Sequence, residues 1–350
     1  MDYEQKAKLF RAPEELGWQL FARAPAVRFA AVSPEGMPIL RTLNAVVLDG
    51  RICFHGGDHG EKLGLVGAHA VASYDEVVAE VPSYWIHPEL ACPASTYYVS
   101  AIAEGRIERS DDLERKARVL SAMMERFQPE GGYDPIRADD KRYAKVLAQL
   151  LIAELVPTRV SAKQKLGQHR SVAQLERVLE GLWRRGRAGD LGALRMIREA
   201  HPQRPVPAFL RGPLGSVLCV APDARDAGEV AALLEGQYWT SAFTLERMAR
   251  AQLGSSAWVV ARDPGTQEVL ASARAISDHA RFGYVLDVIV RPDLRRQGFG
   301  RALMELLLDH PVLRGVHALA LRTRDAQALY RSLGFTTSTS PGEMMVRLRG

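Results

Sequence analysis

Apolar and polar positions follow two different rhythms along this 350-residue chain. From residue 26 to about 160, short apolar runs alternate with polar positions and are separated by tight turns, and Asp49-Gly50 is typical of a β-hairpin. Two segments, 112–127 and 141–151, have instead the 3.6-residue spacing of amphipathic helices. The first half is therefore predicted to be an antiparallel β-barrel with a few helices.

Strands and helices alternate in the second half of the chain, which predicts an α/β domain. The predicted strands are 216–220, 257–261, 268–276, 282–290, 317–321 and 343–348, and the predicted helices are 226–234, 244–251, a helix from 301 onward, and 325–333.

The two patterns meet in a stretch rich in proline. Helices predicted at 175–180 and 193–200 are expected to close the first domain. Residues 201–207 then hold three prolines, which is typical of an extended linker, and Gly212-Pro-Leu-Gly marks its end. We predict a first domain at 1–204, a linker at 205–215 and a second domain at 216–350.

Composition narrows the class of protein. The net charge of +5 is modest, and the basic cluster at 183–187 is interpreted as a solvated helix end rather than a nucleic-acid surface. Three cysteines, Cys53, Cys92 and Cys219, are far apart, which favours reduced thiols in a cytoplasmic protein without a metal site. No apolar run reaches membrane-spanning length, and the charged N-terminus is unlike a signal peptide.

One glycine-rich turn, Arg295-Arg-Gln-Gly-Phe-Gly, follows the strand at 282–290 and begins a helix. The N–H groups of residues 297–301 have no partner inside that helix, so together with the helix dipole they form a seat for a phosphate or pyrophosphate. No Lys-Ser/Thr pair follows the glycines, which excludes a nucleoside-triphosphate loop. Leu303 stands where the dinucleotide fingerprint needs a third glycine.

This turn resembles the R/Q-x-x-G-x-G/A pyrophosphate loop of the GCN5-related N-acetyltransferases (GNAT). Residues 321–335 are also similar to that family's T-x-D/N-A-x-x-L-Y-x-x-x-G-F run. The resemblance implies a GNAT fold with a mixed central sheet, acetyl-CoA as cosubstrate, and an amine of a small molecule or a protein as acceptor. The expected coenzyme contacts are Val288, Ile289, Val290, Arg295, Arg296, Gln297, Gly298, Gly300 and Arg301.

Amide formation from a thioester requires a proton for the leaving thiolate. Tyr330 is the candidate general acid, because a phenol and a thiol have similar pKa values and because the family often uses this position so. Asp287 is the candidate base, with a structural carboxylate as the open alternative. Asp325 is predicted to cap the last helix, where the family has asparagine. Tyr238 and Trp239 are expected either to form the floor of the acceptor pocket or to pack in the core.

A second resemblance lies in the first half. Residues 51–63, followed by 97–107, are similar to the pyridoxamine-5′-phosphate-oxidase-like split barrels, and the F-H-G-x-x-x-G-x-K signature is that of their flavin-binding, nitroimidazole-resistance-like branch. The resemblance implies a bound FMN. As alternatives, Lys62 is a solvated helix residue and Arg41 a surface strand residue. The expected FMN contacts are Arg41, Thr42, Asn44, His55, Gly56 and Lys62.

Residues 163–170 look like the K-L-S-Q-N-R run of a related family of FMN-binding regulators, from which they depart at Gly167 and His169. The resemblance implies a homodimer in which Lys165, Gln168 and Arg170 complete a partner's flavin groove. The alternative is that this tail covers its own barrel.

Together the two resemblances predict a bifunctional or flavin-regulated acetyl-CoA-dependent N-acetyltransferase with an FMN-binding, oxidoreductase-like first domain. Two rivals remain open. One is a non-catalytic ligand-sensing first domain, and the other is a transcriptional regulator, which no helix-turn-helix or strongly basic face supports.

Overall fold

The computed structural model describes residues 8–33, 35–57 and 59–337. It divides the chain into two compact units, residues 1–171 and 172–350, each with its own sheet and its own core. The predicted last strand at 343–348 lies outside the described residues.

The first unit contains eight strands and three α-helices within its described residues. They are β1 (Arg11–Ala12), α1 (Glu14–Arg23), β2 (Val27–Val32), β3 (Pro38–Leu43), β4 (Ala45–Leu48), β5 (Arg51–Gly57), β6 (His69–Val81), β7 (Ser95–Ser110), α2 (Leu113–Phe127), α3 (Lys141–Gln149) and β8 (Leu150–Lys165), with short 3₁₀ helices at Glu61–Leu65 and Ser83–Trp85.

These strands form one antiparallel sheet in the order β3-β2-β6-β7-β8-β5-β4, with β1 paired to β8. The sheet curls on itself, because the fully buried rings of Phe29 on β2 and Phe54 on β5 meet with centroids 4.8 Å apart. Its two end strands, β3 and β4, are consecutive in the chain. This architecture confirms the predicted split barrel with helices.

The second unit alternates helices and strands within its described residues. They are α4 (Val172–Arg185), α5 (Asp190–Ala200), β9 (Val217–Cys219), α6 (Ala224–Leu234), α7 (Leu245–Leu253), β10 (Ala257–Arg262), β11 (Val269–Ser277), β12 (Phe282–Val290), α8 (Phe299–Leu308), β13 (Ala318–Ala320) and α9 (Gln327–Ser332), with 3₁₀ helices at Ala208–Leu210, Pro213–Gly215 and Pro292–Leu294.

The sheet of this unit has the order β13-β12-β11-β10-β9. All neighbours are antiparallel except β12 and β13, which run parallel, so the predicted mixed sheet is confirmed. Apolar side chains of α6, among them Val230 and Leu234, pack with Trp258, Val260 and Ile289 of the sheet in one buried cluster. This cluster anchors the strand that carries the candidate site.

The boundary between the units differs from the predicted linker at 205–215. Helices α4 and α5 belong to the second unit, since Trp183 of α4 is 2% exposed and donates from Nε1 to Asp309 Oδ2 at 2.8 Å. The Trp183 ring also stacks on Phe209 at 5.6 Å. The cluster at 183–187 is therefore only partly the solvated helix end that was predicted, because its aromatic residue belongs to the core.

In residues 8–33, 35–57 and 59–337, no helix combines the length and the apolar character that are needed to span a membrane. The three cysteines are free thiols, of which Cys53 is buried and Cys92 exposed.

Candidate functional site

A cavity of about 720 Å³ opens in the second unit where two parallel strands part. β12 and β13 pair only from Phe282↔Ala318 to Tyr284↔Ala320. Beyond that point, residues 285–288 of β12 and residues 321–326 after β13 both line the cavity. Residues of α7 and of the loop before it, including Tyr238 and Trp239, complete the wall. Parallel strands that separate in this way provide a cleft whose edges are backbone amides.

The strand β12 carries a bulge at the cavity. Ser272 pairs with Ile289 and Arg274 with Leu286, so Asp287 and Val288 together lie opposite the single residue Ala273. Asp287 has a φ of 49°, an uncommon conformation for a residue with a side chain. A bulge removes residues from the regular ladder, which leaves the backbone here available to a ligand.

Two hydrogen-bond donors hold the side chain of Asp287 in place. Arg274 Nε donates to its Oδ2 at 2.6 Å and Gln252 Nε2 donates to the same oxygen at 3.3 Å. The side chains of Arg274 and Asp287 are each 11% exposed. An ion pair with so little solvent around it can hold a strained backbone conformation in place. This arrangement fits the structural alternative for Asp287.

Tyr330, on α9, is 8% exposed and also lines the cavity. Burial, followed by the neighbouring Asp325 and Tyr238, raises the pKa of its phenol, so the hydroxyl keeps its proton at neutral pH. Its ring meets Phe335 edge-on at 6.0 Å. The structure therefore places a protonated phenol at the cavity, as the candidate general acid requires.

The predicted cap of α9 is wrong. The helix begins at Gln327 after the N-cap residue Ala326, and no side chain caps it. Thr323 Oγ1 accepts from the Ala326 N–H at 3.1 Å, so a turn made by Thr323 takes up the donor, and Asp325 lies exposed within that turn.

The glycine-rich turn has the conformation that its sequence predicts. Gly298 is the N-cap of α8 with φ 90° and ψ −10°, a left-handed conformation that favours glycine, and no side chain caps the helix. The structure gives the N–H groups of residues 299–301 no hydrogen bond within its described part. These three donors therefore point out of a helix N-terminus, where a pyrophosphate would accept from them.

The other predicted coenzyme residues have mixed surroundings. Arg295 Nε donates to Val290 O at 3.4 Å, Gln297 Nε2 to Asp293 O at 3.0 Å, and Arg301 Nη2 to Ser332 Oγ at 2.7 Å. Ile289 is 4% exposed and belongs to the core cluster. Val288 lines the cavity. Arg296 has φ 63° and no hydrogen bond to a described residue.

Gly300 has a different role from Gly298. A Cβ atom at Gly300 would lie 3.4 Å from Leu329 Cδ2, so this glycine lets α8 and α9 approach each other closely. Its effect on the coenzyme seat is thus through helix packing.

In the first unit, His55, Gly56 and Lys62 are brought together at the end of β5. Lys62, on the 3₁₀ helix Glu61–Leu65, extends over Gly56, where a Cβ atom would lie 2.9 Å from Lys62 Cδ. Lys62 Nζ donates to His55 O at 3.4 Å. Burial and the nearby Lys62 charge lower the pKa of His55. A lysine ammonium group with one long hydrogen bond within the described residues retains donors for a phosphate.

The remaining predicted flavin contacts, Arg41, Thr42 and Asn44, do not share one face of strand β3. Ile39 approaches Gly64 of the 3₁₀ helix, and Arg41 shares the face of Ile39 because strand side chains alternate. Thr42 points to the opposite face, where it pairs with Arg28. Asn44 Nδ2 donates to Pro25 O at 3.4 Å. The structure thus places Arg41 on the face towards the Lys62 helix and Thr42 away from it.

The tail after β8 makes contacts inside its own unit. Arg170 Nη2 donates to Pro93 O at 2.7 Å, Gln168 Nε2 to Gln164 O at 2.5 Å, and Lys165 Nζ lies 5.8 Å from the Tyr98 ring centroid. These contacts fit the alternative in which the tail covers its own barrel.

Sequence reasoning did not find the arginines of the cavity. Arg247, Arg274, Arg322 and Arg324 all line it, yet they come from α7, β11 and the loop after β13. Arg322 and Arg324 lie inside the motif at 321–335, and their alternate spacing on either side of Thr323 was the available signal.

Family models match both halves of the chain. Residues 13–164 match the family described as pyridoxamine 5′-phosphate oxidase, and residues 218–335 match the acetyltransferase (GNAT) family. The chain is therefore a fusion of a pyridoxamine-5′-phosphate-oxidase-like split barrel with a GNAT domain.

Individual relatives match only parts of the chain. The [ribosomal protein bS18]-alanine N-acetyltransferase of Escherichia coli K12 is 39% identical over 79 residues, which are 21% of this chain and 51% of that protein. The chain thus spans about half the length of the curated relatives it matches. A structure described as a putative acetyltransferase of the GNAT family from Xanthomonas campestris is 30% identical, with 38% of this chain and 93% of that chain covered and a TM-score of 0.34.

A structure described as a putative 5-nitroimidazole antibiotic resistance protein from Bacteroides thetaiotaomicron is 17% identical, with 43% of this chain and 83% of that chain covered and a TM-score of 0.34.

Proposed function

We propose that the second unit is an acetyl-CoA-dependent N-acetyltransferase. The observation that carries the proposal is the cavity at the parting of β12 and β13, which has the bulge at Asp287 on one wall and the buried, protonated Tyr330 on another. Acetyl-CoA supplies an activated acyl group whose carbonyl an amine attacks, with loss of the thiolate.

Each step of that transfer has a residue suited to it. The N–H groups of residues 299–301 hold the pyrophosphate at the N-terminus of α8. The bulged backbone of Asp287 and Val288 orients the acyl end at the cavity wall. The Tyr330 hydroxyl then donates its proton to the sulfur, and its raised pKa keeps that proton available at neutral pH.

Asp287 is assigned to holding the bulge rather than to removing the proton from the amine. Arg274 and Gln252 both donate to its Oδ2, so the carboxylate is used in positioning the strand. In this proposal the amine loses its proton to water.

A continuous assay of thiol release with the full chain tests the activity. Thiol should appear from acetyl-CoA only when a primary amine is added, and mass spectrometry should find the amine heavier by one acetyl group. Folded protein that binds acetyl-CoA but acetylates no amine in a broad panel, which includes a peptide with an N-terminal alanine, would contradict the proposal. The alanine peptide is included because of the substrate in the name of the Escherichia coli relative.

We propose further that the first unit binds FMN. Within the described residues, the Lys62 ammonium group donates only to the His55 carbonyl oxygen, at 3.4 Å, and the Lys62 side chain can cross Gly56 because that residue has no Cβ. Arg41 shares the adjoining face. Lys62 and Arg41 would therefore hold the phosphate, and bound FMN would supply electron transfer. Absorbance of the purified chain after incubation with FMN and gel filtration tests this binding.

The first unit is also proposed to form a homodimer through its outer face. On β2, β3 and β6, Ala30 pairs with both Leu40 and Val71, and Leu40 is 61% and Val71 39% exposed. Val32 on the same face is 61% exposed. A twofold axis would place this apolar strip, which includes Leu40 of the strand that carries Arg41, against its copy. Sedimentation should give a dimer, and Leu40→Lys should shift it towards monomer.

Whether flavin controls acetyl transfer is a separate question with a direct test. The thiol-release rate is compared for FMN-loaded and FMN-free chain at saturating acetyl-CoA. A rate that depends on FMN supports regulation, whereas equal rates support two independent functions in one chain.

A further inference from the structure

Positive charge is in excess around the cavity of the second unit. Among its described lining residues are four arginines and two aspartates, and no lysine, histidine or glutamate. Arg274 is neutralised by Asp287 at 2.6 Å. The guanidinium groups of Arg247, Arg322 and Arg324 remain, with only Asp325 as a further carboxylate on the wall.

These three arginines have no carboxylate partner within the part of the chain that the structure describes. Other arginines of the same unit do pair, for example Arg262 with Asp226 and Arg291 with Asp293 at 2.8 Å. An arginine that lines a cavity without a partner keeps its N–H donors for a ligand, and the planar guanidinium suits the two oxygens of a carboxylate or phosphate.

The Arg324 guanidinium also has a fixed position. It lies over the ring of Tyr238 at 4.0 Å from the centroid, and Tyr238 meets Trp239 edge-on at 4.7 Å. The aromatic face holds the cation by a cation–π interaction and leaves the N–H edges of the guanidinium available. Tyr238 and Trp239 therefore form a platform for a charged side of the pocket.

The phosphates of the coenzyme do not explain this charge. Their proposed seat is the N-terminus of α8, and no described residue between 289 and 320 lines the cavity. The three arginines instead lie on α7 and on the loop after β13, beside the aromatic residues before α7.

The same charge favours the nucleophile. Cations close to an amine disfavour its ammonium form, which lowers its pKa and raises the fraction that can attack. A cavity with unpaired guanidinium groups thus assists deprotonation by water, in agreement with the positioning role of Asp287.

We infer that the acceptor is a primary amine that also carries an oxyanion, either a carboxylate or a phosphate, held by Arg247, Arg322 and Arg324. This inference rests on the proposed acetyltransferase function and specifies its acceptor.

Matched pairs of amines test the inference with the full chain at saturating acetyl-CoA. The pairs are phosphoethanolamine and ethanolamine, alanine and alaninamide, and a peptide amide with N-terminal alanine followed by two glutamates against the same peptide with glutamines. For the pairs that are accepted, kcat/KM should be at least about tenfold higher for the member with the oxyanion, as one charge-assisted hydrogen bond provides. A preference confined to the peptide pair identifies an acidic polypeptide as the source, and one confined to the other pairs identifies a small molecule.

Variants on one helix provide the control. Arg247→Gln should lower kcat/KM about tenfold more for the oxyanion member than for its neutral counterpart, because it removes one charged donor to the oxyanion. Arg250→Gln changes an exposed arginine of the same helix that does not line the cavity, and it should change neither member. The dissociation constant of acetyl-CoA should be the same in both variants.

Equal kcat/KM within the pairs, or preference for the neutral members, would overturn the inference while leaving the acetyltransferase function standing. If no amine is acetylated, the intrinsic tryptophan fluorescence of the acetyl-CoA-loaded chain, to which Trp239 contributes, is titrated with phosphoethanolamine. A saturable change that Arg324→Gln abolishes supports the inference, and no change overturns it. Failure of the proposed function is read separately, from thiol release and mass spectrometry, as folded chain that acetylates no amine of the panel.

Discussion

In the second unit, a strand bulge and a buried phenol line one cavity, and three backbone N–H donors lie outside its lining at the N-terminus of α8. In the first unit, the candidate ligand contacts are instead side-chain cations, Lys62 on a 3₁₀ helix and Arg41 on the end strand β3. The donors of residues 299–301 have no hydrogen bond within the described residues. Lys62 and Arg41 instead donate to carbonyl oxygens of nearby strand residues, at 3.4 and 2.7 Å. The backbone donors of the second unit are therefore ready for a ligand, whereas FMN binding as proposed would have to displace the hydrogen bonds that Lys62 and Arg41 already make.

This difference shows that a site made of backbone groups and a site made of side chains lose different amounts of conformational entropy when a ligand binds. A helix N-terminus directs its N–H groups without any loss of side-chain entropy, whereas a lysine has to be immobilised by the ligand itself. The coenzyme site should consequently respond to changes in backbone conformation, and the flavin site to loss of charge. The predictions below follow from this contrast.

The largest effect is expected for Tyr330→Phe. Without the phenol proton the thiolate leaves unassisted, so kcat should fall about 10- to 1000-fold while the affinity for acetyl-CoA stays within a factor of about two. Stopped-flow measurement of a single turnover separates the chemical step from product release. An unchanged rate for that step would return Tyr330 to a packing role.

The pH dependence of the wild-type rate sharpens this prediction. Tyr330 acts in its protonated form, and burial raises its pKa, so activity should persist above the ordinary tyrosine pKa of about 10 before it declines. Tyr330→Phe should lose that alkaline decline. A decline that is the same in both proteins would assign it to another group.

Backbone dependence of the coenzyme seat is tested by Gly298→Ala. A side chain in this left-handed conformation costs about 1–2 kcal/mol, and relaxation of the turn would misdirect the N–H groups of residues 299–301. We expect the affinity for acetyl-CoA to fall about tenfold or more in calorimetry.

Gly189 offers a matched control in the same unit, since it is the N-cap of α5 with φ 89° and ψ −21°. Gly189→Ala should lower the free energy of unfolding by a similar amount and leave coenzyme affinity unchanged. Equal loss of affinity in both variants would mean that general destabilisation, and not the turn, is responsible.

Charge dependence of the flavin site is tested by Lys62→Ala. Removal of a charge-assisted phosphate contact should weaken FMN binding by about 1.5–3 kcal/mol, or roughly 10- to 100-fold. Lys145→Ala, an exposed lysine on α3, is the control. FMN affinity that is equal in the two variants would place the phosphate elsewhere.

The smallest effect is expected for Asp287→Asn, which separates the positioning role from a base. An amide of the same shape keeps a hydrogen-bond acceptor towards Arg274, so kcat should fall less than about tenfold, whereas removal of a general base costs typically 100- to 10,000-fold. A loss in the larger range would restore Asp287 as the base.

Local sequence patterns predicted the parts of the second unit that depend on neighbouring residues. The turn at Gly298 and the helix after it follow from glycine spacing, and the mixed sheet follows from the family resemblance. The cap predicted at Asp325 is wrong because Thr323 and Asp325 both suit the turn before the helix, and the backbone geometry gives that turn to Thr323 and leaves α9 without a side-chain cap.

Features that depend on distant residues were beyond the sequence. The place of α4 rests on the contact of Trp183 with Asp309, and the bulge at Asp287 rests on its ion pair with Arg274 of another strand. The face of Thr42 is set by the register between β2 and β3, where a shift of one residue exchanges the two faces.

Hydrogen–deuterium exchange with and without acetyl-CoA tests the central claim most directly, because the claim concerns backbone amides. We predict that acetyl-CoA slows exchange at residues 299–301 and at the bulge of Asp287 and Val288, and that Gly298→Ala weakens the protection at 299–301. Acetyl-CoA binding in calorimetry without protection at either segment would contradict the account.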